Sequence, residues 1–205
     1  MDYNSLADEK VVERTVAALR ANGVEALMVK DGAAALAAIK EFIPRGASVM
    51  NGSSRTLEQI GFVDYLKQGN HGWNNLHSVI LGEKDKAKQV VLRKQALLSD
   101  YYLGSVHALA QTGEFVIASN TGSQLPHIVY SSPNLIFVVS TKKIVLTLAD
   151  GLQRLEQHVL PLEDKHMMEK YGIHTMPSKV VLFRRENPML GRKVKMLLVS
   201  EDLGF

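Results

Sequence analysis

The stretch Val24-Glu25-Ala26-Leu27-Met28-Val29, with the segments 33–43 and 47–50 that follow it, decides the fold of this chain. Residues 24–29 and 47–50 are short apolar runs, and the alanine-rich residues 33–43 between them favour a helix. Lys30-Asp31-Gly32 and Pro44-Arg45-Gly46 provide the turns. The pattern predicts strand, helix, strand, with the two strands parallel in one sheet.

The same alternation continues on both sides of this unit. Residues 8–21 carry apolar side chains at helical spacing and precede Asn22-Gly23, which predicts a first helix that ends there. We therefore expect an α/β fold with a mainly parallel sheet flanked by helices. Strands 24–29, 47–50, 101–106, 114–118 and 135–140 are predicted to share that sheet, with further strands at 179–183 and 194–199. Helices are predicted at 57–60, 62–67, 84–98, 150–160 and 163–171, the last two separated by Pro161.

Composition limits the class of protein and the kinds of site. The 205 residues, of which 46% are hydrophobic and 22% charged, predict one folded domain spanning residues 1–205. A net charge of +3 is weak evidence for a polyanionic partner, so we expect no nucleic-acid binding. The absence of cysteine excludes thiolate metal sites and cluster ligation by this chain, and we expect no metal and no cofactor. The sequence shows no secretory start and no apolar run of membrane-spanning length, which predicts a cytoplasmic protein.

A first candidate binding loop is Asn51-Gly52-Ser53-Ser54-Arg55-Thr56, which follows a predicted buried strand and opens a helix. Gly52 allows a tight turn, and the three hydroxyl side chains lie beside the unpaired amides of the helix start. Arg55 can hold a phosphate or a carboxylate with both arms of its guanidinium. The alternative is that one serine only caps the helix and Arg55 is solvated. Glu58 in the first turn weakens the anion interpretation, because it already occupies part of the positive helix end.

A second loop, Ser119-Asn120-Thr121-Gly122-Ser123-Gln124, repeats this chemistry after the predicted strand 114–118. Asn120, Thr121, Gly122 and Ser123 are its candidate ligand-binding residues. Because ligands of parallel sheets bind at the carboxyl ends of the strands, both loops are predicted to face one cavity that takes a small anionic ligand. The alternative is a plain loop in which Ser123 caps the following helix.

These loops also carry a resemblance to a known family. The run 51–61, residues 105–114, Thr121-Gly122-Ser123, residues 134–144 and the closing residues 193–199 resemble, in order and spacing, the signatures of the LUD family, named for lactate utilisation. One departure concerns the second loop, where many relatives carry Asp-Gly-Thr-Gly followed by Asn or Arg. Ser119-Asn120 and Gln124 stand at these positions here, which puts a carboxylate or guanidinium role in doubt.

The resemblance implies a fold like that of ribose-phosphate isomerases, glucosamine-phosphate deaminases and CoA transferases. It also implies a link to the oxidation of L-lactate, or a related organic acid, to pyruvate, in which family members act beside iron–sulfur subunits. A fold shared with enzymes does not transfer their activity. Whether the chain is itself an enzyme therefore stays open.

Two function classes follow from these observations. The first is a subunit or binding module of organic-acid oxidation with a pocket for an organic acid, a sugar phosphate or a CoA-like ligand. The second is a stand-alone isomerase or acyl-CoA transferase with Glu114 as its catalytic carboxylate, since partial desolvation at the start of a buried strand would suit a carboxyl group to proton transfer. The alternative for Glu114 is an exposed turn residue. His107 is a further candidate for orienting a carboxylate or binding substrate.

Overall fold

The computed structural model describes residues 2–205, and the strands of this part of the chain form two sheets. Most of the strands are rich in apolar, β-branched or aromatic residues, which fit a buried pleated surface. In chain order they are β1 (Glu25–Val29), β2 (Ser48–Asn51), β3 (Asn74–Asn75), β4 (Tyr101–Gly104), β5 (Ala108–Ala110), β6 (Phe115–Ser119), β7 (Asn134–Ser140), β8 (Ile144–Val145), β9 (Lys179–Phe183) and β10 (Lys193–Val199).

Six strands form a wholly parallel sheet in the order β1-β10-β7-β4-β2-β3. The two strands of the opening βαβ unit, β1 and β2, both belong to it, although β10, β7 and β4 lie between them. Leu27 of β1 pairs with Leu197 of β10, and Val49 of β2 pairs with Tyr101 of β4. The predicted α/β fold with a parallel sheet is confirmed, and it contains four of the five strands predicted for it.

The fifth predicted strand, residues 114–118, lies in the second sheet, so its assignment to the parallel sheet is wrong. This sheet has the order β8-β5-β6-β9, in which β6 is antiparallel to both of its neighbours. Only residues 111–114 connect β5 to β6, whereas neighbouring parallel strands need a crossover of about a dozen residues or more. A hairpin is the available connection, and Gly113 makes its turn with φ +91°.

The helices cover the sheets and agree with most of the predicted segments. They are α1 (Glu9–Ala21), α2 (Gly32–Phe42), α3 (Arg55–Gln59), α4 (Phe62–Gln68), α5 (Leu76–Gly82), α6 (Lys86–Gln95), α7 (Leu148–Arg154) and α8 (Leu160–Tyr171). A 3-10 turn at Ala96–Leu98 completes the segment predicted as 84–98, while α5 was not predicted. Within residues 2–205, none of the helices has the length and hydropathy needed to cross a membrane.

The prediction that Pro161 separates two helices is wrong. A π-helical turn at Leu155–Val159 joins α7 to α8, so residues 148–171 form one continuous helix. Proline has no N–H to donate, and it usually ends or kinks a helix for that reason. In the π-helical turn directly before Pro161, backbone N–H groups donate to the carbonyl five residues earlier instead of four. The Leu160 N–H, for example, donates to the Leu155 carbonyl.

Each face of the parallel sheet is covered by a different layer. Alternate residues of a strand point to opposite faces, and in β7 Ile136 packs among residues of α2, α3 and α4. Its neighbour Phe137 packs on the other face, among residues of α1 and of the second sheet such as Phe115. The outer face of the second sheet is buried by α7 and the π-helical turn, where Leu155 belongs to the same buried cluster as Val116. The two sheets therefore share a core.

Candidate functional site

A cavity of about 410 Å³ opens where several strands end. The loops after β2, β4, β6 and β7 contribute to its walls, and α8 and residues 175–177 and 204–205 complete them. Ligands of α/β sheets bind at the carboxyl ends of the strands, because the loops there converge. The cavity is therefore where this fold is expected to bind a ligand.

The loop after β2 contributes all of its predicted residues, Gly52, Ser53, Ser54, Arg55 and Thr56, to the cavity wall. Ser54 accepts a hydrogen bond from the third backbone N–H beyond it and so caps α3. Arg55 is about half exposed and forms an ion pair of 3.4 Å with the side chain three positions further on. Both alternatives for this loop thus hold in part, because the capping serine and the paired arginine also face the cavity. Binding of a ligand by these residues stays a prediction.

The loop after β6 places Asn120, Thr121 and Ser123 in the same cavity wall, whereas Gly122 is not part of that wall. Gly122 has φ +83° and turns the chain, and its N–H donates to the Ser119 hydroxyl at 3.0 Å. The Ser123 hydroxyl accepts from the Thr121 hydroxyl at 3.0 Å. It does not cap the following helix, because the Leu125 N–H donates to the Gly122 carbonyl and Pro126 has no N–H to donate. The loops that follow β2 and β6 meet although these strands belong to different sheets.

Gln124 and Gly52 bring the two loops into contact. The Gln124 side chain accepts from the Tyr102 hydroxyl at 3.3 Å and donates to the Ala118 carbonyl at 3.1 Å, so it links β4 to β6. A Cβ atom added at Gly52 would lie 2.5 Å from the Tyr102 hydroxyl oxygen and 2.8 Å from the Gln124 amide oxygen. Real Cβ atoms do not approach oxygen this closely, so the contact requires glycine at position 52.

Glu114 lies outside this cavity. It precedes β6, whereas the cavity lies at the opposite end of that strand, beyond Ser119. Glu114 instead closes the β5–β6 hairpin, where its backbone carbonyl accepts from the Ala110 N–H at 2.8 Å. A ligand in the cavity would not contact Glu114. The alternative of a stand-alone isomerase or acyl-CoA transferase relied on this carboxylate and gains no support from its position.

Lys143 is the cavity residue that sequence reasoning missed. It follows β7 in a 3-10 turn, is 4% exposed and lines the cavity. Its ammonium nitrogen lies 3.2 Å from Thr56 Oγ1, 3.1 Å from Ser105 Oγ and 3.2 Å from the Val106 carbonyl oxygen. The available signal was a pair of lysines, Lys142 and Lys143, directly after a long apolar strand whose end lies at the edge where the loops converge.

The interior beside Lys143 carries an excess of positive charge. Arg154 is fully buried, and its Nη1 donates to the carbonyl of His107, a residue of the cavity wall. Its Nε and Nη2 have no hydrogen-bond acceptor among the described residues. Burial, together with the charges of Arg154 and Lys142, lowers the pKa of Lys143 from 10.5 to about 7. An anion in the cavity would compensate this charge, because buried cations are stable only when they are paired or neutralised.

Two further titratable groups, His107 and Glu163, line the same cavity. Burial, and then the positive charges of Lys143 and Arg154, lower the pKa of His107 from 6.5 to about 3. Its Nδ1 accepts from the Ala118 N–H at 3.1 Å, so the proton of the neutral ring lies on Nε2. Burial raises the pKa of Glu163, a carboxyl group of α8. Glu163 thus has the position and the pKa direction of an acid that can exchange protons with a ligand.

A second cavity of about 440 Å³ adjoins the first. The two share Gly52, Ser53, Ser123 and Gln124, so the second cavity begins on the other side of the wall that the two loops build. Its lining is more apolar and includes two cationic residues of α6, Arg93 and Lys94. No group of three potential metal ligands occurs among residues 2–205. The functional groups that line the first cavity are the Lys143 amine, the Arg55 guanidinium, the His107 imidazole, the Glu163 carboxyl group and several hydroxyls.

Comparison with known proteins assigns the family. The sequence model of the LUD domain matches residues 12–180, which is more than half of the 205-residue chain. The crystal structure of a DUF162 family protein from Deinococcus radiodurans is similar over 96% of this chain and 100% of that chain, with a TM-score of 0.56 and 12% sequence identity, and at that identity the likeness shows the fold alone. A search among curated proteins gave no match. The chain belongs to the LUD-domain family.

Proposed function

We propose that this chain binds a small organic acid or phosphate ester in the first cavity, and that Lys143 supplies the charge that attracts it. The observation that carries the proposal is a buried lysine, 4% exposed, that lines a hydroxyl-rich cavity and forms no salt bridge among the described residues. A buried cation without a carboxylate partner is costly to the fold, and it is retained most readily where a ligand supplies the missing charge.

The hydroxyl groups of the two loops complement that charge. The cavity wall includes Ser53 and Ser54 from the loop after β2, and Thr121 and Ser123 from the loop after β6. Hydroxyls donate to carboxylate and phosphate oxygens without adding negative charge of their own. This combination of one buried cation with neutral donors suits an anion of low charge better than a polyanion.

L-lactate, or a related organic acid oxidised to its keto acid, is the first ligand to test. Membership of the LUD family supports this choice, because the resemblance links the family to lactate utilisation. The chain contains no cysteine, so electrons from such an oxidation would pass through partner subunits that carry iron–sulfur clusters. In this proposal the chain contributes the binding of the acid.

Calorimetric titration with L-lactate, pyruvate, a sugar phosphate and CoA tests the proposal. Lys143→Met should weaken the binding of the preferred anion on the order of 10- to 100-fold, since a hydrogen bond to a charged group is worth about 1.5–3 kcal/mol. Arg55→Ala should weaken it by less than about fivefold, because Arg55 is half exposed and exposed charge pairs contribute at most about 1 kcal/mol.

Lys88→Met is the matched control, since Lys88 lies exposed on α6 and outside both cavities. It removes the same charge and should leave the affinity unchanged. If none of the four anions binds, or if Lys143→Met binds as tightly as Lys88→Met, the cavity is not the anion site proposed here.

A further inference from the structure

Lys142 and Lys143 are adjacent and almost equally buried, yet their surroundings differ. Lys142 Nζ forms a salt bridge with Asp202 and also donates to the Gly204 carbonyl at 2.9 Å. Lys143 Nζ contacts only neutral oxygens and faces the cavity. The pairing at Lys142 is what a structural lysine ordinarily shows. Lys143 lacks that pairing and is accessible to a small molecule.

The three contacts of Lys143 suit a neutral amine as well as an ammonium. An ammonium can donate to Thr56 Oγ1, Ser105 Oγ and the Val106 carbonyl, all of which lie within 3.2 Å of Nζ. A neutral amine has two N–H groups and one lone pair, and either hydroxyl can rotate to donate to that lone pair. The site therefore holds Nζ in place in both protonation states.

The neutral form is also readily populated. Burial is the largest cause of the lowered pKa of Lys143, and the charges of Arg154 and Lys142 add to it. With a pKa of about 7, roughly half of the Lys143 side chains are neutral at pH 7. An ordinary lysine of pKa about 10.4 is on the order of 10³-fold less deprotonated at that pH. An amine is nucleophilic only in the neutral form.

We propose that Lys143 is a nucleophilic amine that forms a Schiff base with an aldehyde or ketone bearing a carboxylate or phosphate. The proposal rests on the proposed anion site, in which the hydroxyls of the two loops hold the anionic group while the carbonyl carbon faces Lys143. It extends that function from binding to covalent chemistry, and it names the ligand class as anionic carbonyl compounds such as 2-oxo acids.

The reaction balances with groups that the cavity contains. The Nζ lone pair attacks the carbonyl carbon, the new C–N bond forms, and the electrons of the C=O π bond move to oxygen, which takes up the proton released by nitrogen. Glu163 can then donate a proton to the hydroxyl of this carbinolamine, which leaves as water while nitrogen forms the C=N bond. Deprotonation of the iminium nitrogen returns the proton to Glu163. The net change is amine plus carbonyl to imine plus water, without oxidant or metal.

Borohydride trapping of the full chain with pyruvate tests the proposal. Reduction of the imine leaves a stable secondary amine, with a mass gain equal to that of pyruvic acid less one oxygen atom. Peptide mass mapping should locate this gain at Lys143 and not at Lys142. L-lactate is the matched ligand control, because it carries the same carboxylate but has no carbonyl group, and it should give no label. Glyceraldehyde 3-phosphate replaces pyruvate in a parallel sample to cover a phosphate-bearing carbonyl compound.

Lys143→Arg separates binding from covalent chemistry. Arginine keeps the positive charge but forms no Schiff base, so the variant should lose the label entirely while binding the anion more tightly than Lys143→Met does. Lys143→Met should lose the label and show the weakened anion binding expected above. Anion binding by the wild type without any label, or a label spread equally over exposed lysines, overturns the Schiff-base proposal and leaves the binding function standing. The absence of anion binding in the titrations overturns both.

Discussion

Lys143 also governs how the stability of this protein depends on pH. Its pKa is about 7 in the folded chain and 10.5 as an ordinary lysine, because burial and the charges of Lys142 and Arg154 oppose protonation. Between these two values the unfolded chain binds a proton that the folded chain does not bind. The free energy of unfolding therefore rises with pH across this window, and the full cost of the buried charge is present below pH 7. By the same reasoning, His107, whose pKa falls from 6.5 to about 3 in the folded chain, changes the free energy of unfolding between those two values, below the Lys143 window.

Lys143→Met should remove this cost. We expect the variant to be more stable than the wild type by about 1–4 kcal/mol at pH 6, which is the usual gain when a buried charge gives way to an apolar side chain. The difference should shrink toward pH 10, where Lys143 is neutral in the folded wild type. Urea unfolding from pH 6 to pH 10 measures this, with Lys88→Met as the control. A difference between wild type and Lys143→Met that does not change with pH would contradict the expectation.

At the residue scale, the sequence predicts the hydroxyls of the site but not its charge. Ser53, Ser54, Thr121 and Ser123 are recognisable because they follow strands, and strand ends meet at one edge. Lys143 is harder to recognise: the lysine pair after β7 marks its place at a strand end, but its burial without a counterion depends on the packing of segments far apart in the chain. Glu114 is favoured for its carboxylate, yet it lies at the start of the strand whose far end carries the second loop, so the sequence itself already separates it from the loop residues of the cavity.

At the scale of elements, the β5–β6 hairpin depends on its turn. Gly113 has φ +91°, and a Cβ atom there would lie 2.7 Å from Asn22 Nδ2 and 3.0 Å from the Ala18 backbone of α1. Gly46 has a similar φ of +84°, but nothing lies within 4 Å of its Cβ position. Gly46→Ala should therefore lower the free energy of unfolding by about 1–2 kcal/mol, which is the strain of a left-handed backbone conformation in a residue with a Cβ atom. Gly113→Ala should cost more, about 3 kcal/mol or above, because the clash with α1 is added.

Thermal or urea unfolding of the two alanine variants measures this comparison. Equal losses of stability in the two variants would contradict the prediction, because they would show that the clash between the hairpin turn and α1 does not add to the loss in Gly113→Ala. Binding at the cavity should be unaffected in Gly46→Ala, since residue 46 lies in the turn before β2, away from the cavity wall.

Most elements follow from local pattern, and the exceptions have identifiable causes. Apolar runs of the right length predict β1, β2, β4 and β7. The pattern is clearest in β7, where residues 135–140 are all buried, because a strand buried on both faces has no polar alternation to obscure it. The pattern of β6 is the same, so periodicity did not distinguish a strand of the second sheet. The connection of residues 111–114 does distinguish it, because it is too short for the crossover that two neighbouring parallel strands need. Pro161 misled for another reason, since a π-helical turn is a rare solution that composition does not reveal.

At the scale of the whole molecule, the two sheets should unfold together, because their facing surfaces share one core. Phe137 of β7 meets Phe115 of β6 edge to face, with ring centroids 5.6 Å apart, and both are fully buried. Phe137→Ala should cost about 3–5 kcal/mol, the usual loss for truncating a buried phenylalanine. Met189→Ala, at an 87% exposed position, is the control and should change stability by less than about 0.5 kcal/mol.

Hydrogen exchange measures this cooperativity residue by residue. The amides of Val138 in β7 and Ile117 in β6 should exchange with the same free energy of opening, and Phe137→Ala should lower both by the same amount. Exchange of Ile117 at a much lower free energy than Val138 would show that the second sheet opens on its own. The cavity would then be incomplete in a fraction of the molecules, because its second loop follows β6.

The shared wall between the two cavities has a consequence for how proteins with this architecture diverge. Gln124 lines both cavities and is held by hydrogen bonds from Tyr102 and to the Ala118 carbonyl. Substitution by a shorter side chain would open a passage between the two spaces without displacing a strand or Lys143. A ligand with a long apolar tail would then fit with its carbonyl group at Lys143 and its tail in the second cavity. Chain-length specificity can thus evolve at one loop position while the chemistry at the lysine is inherited unchanged.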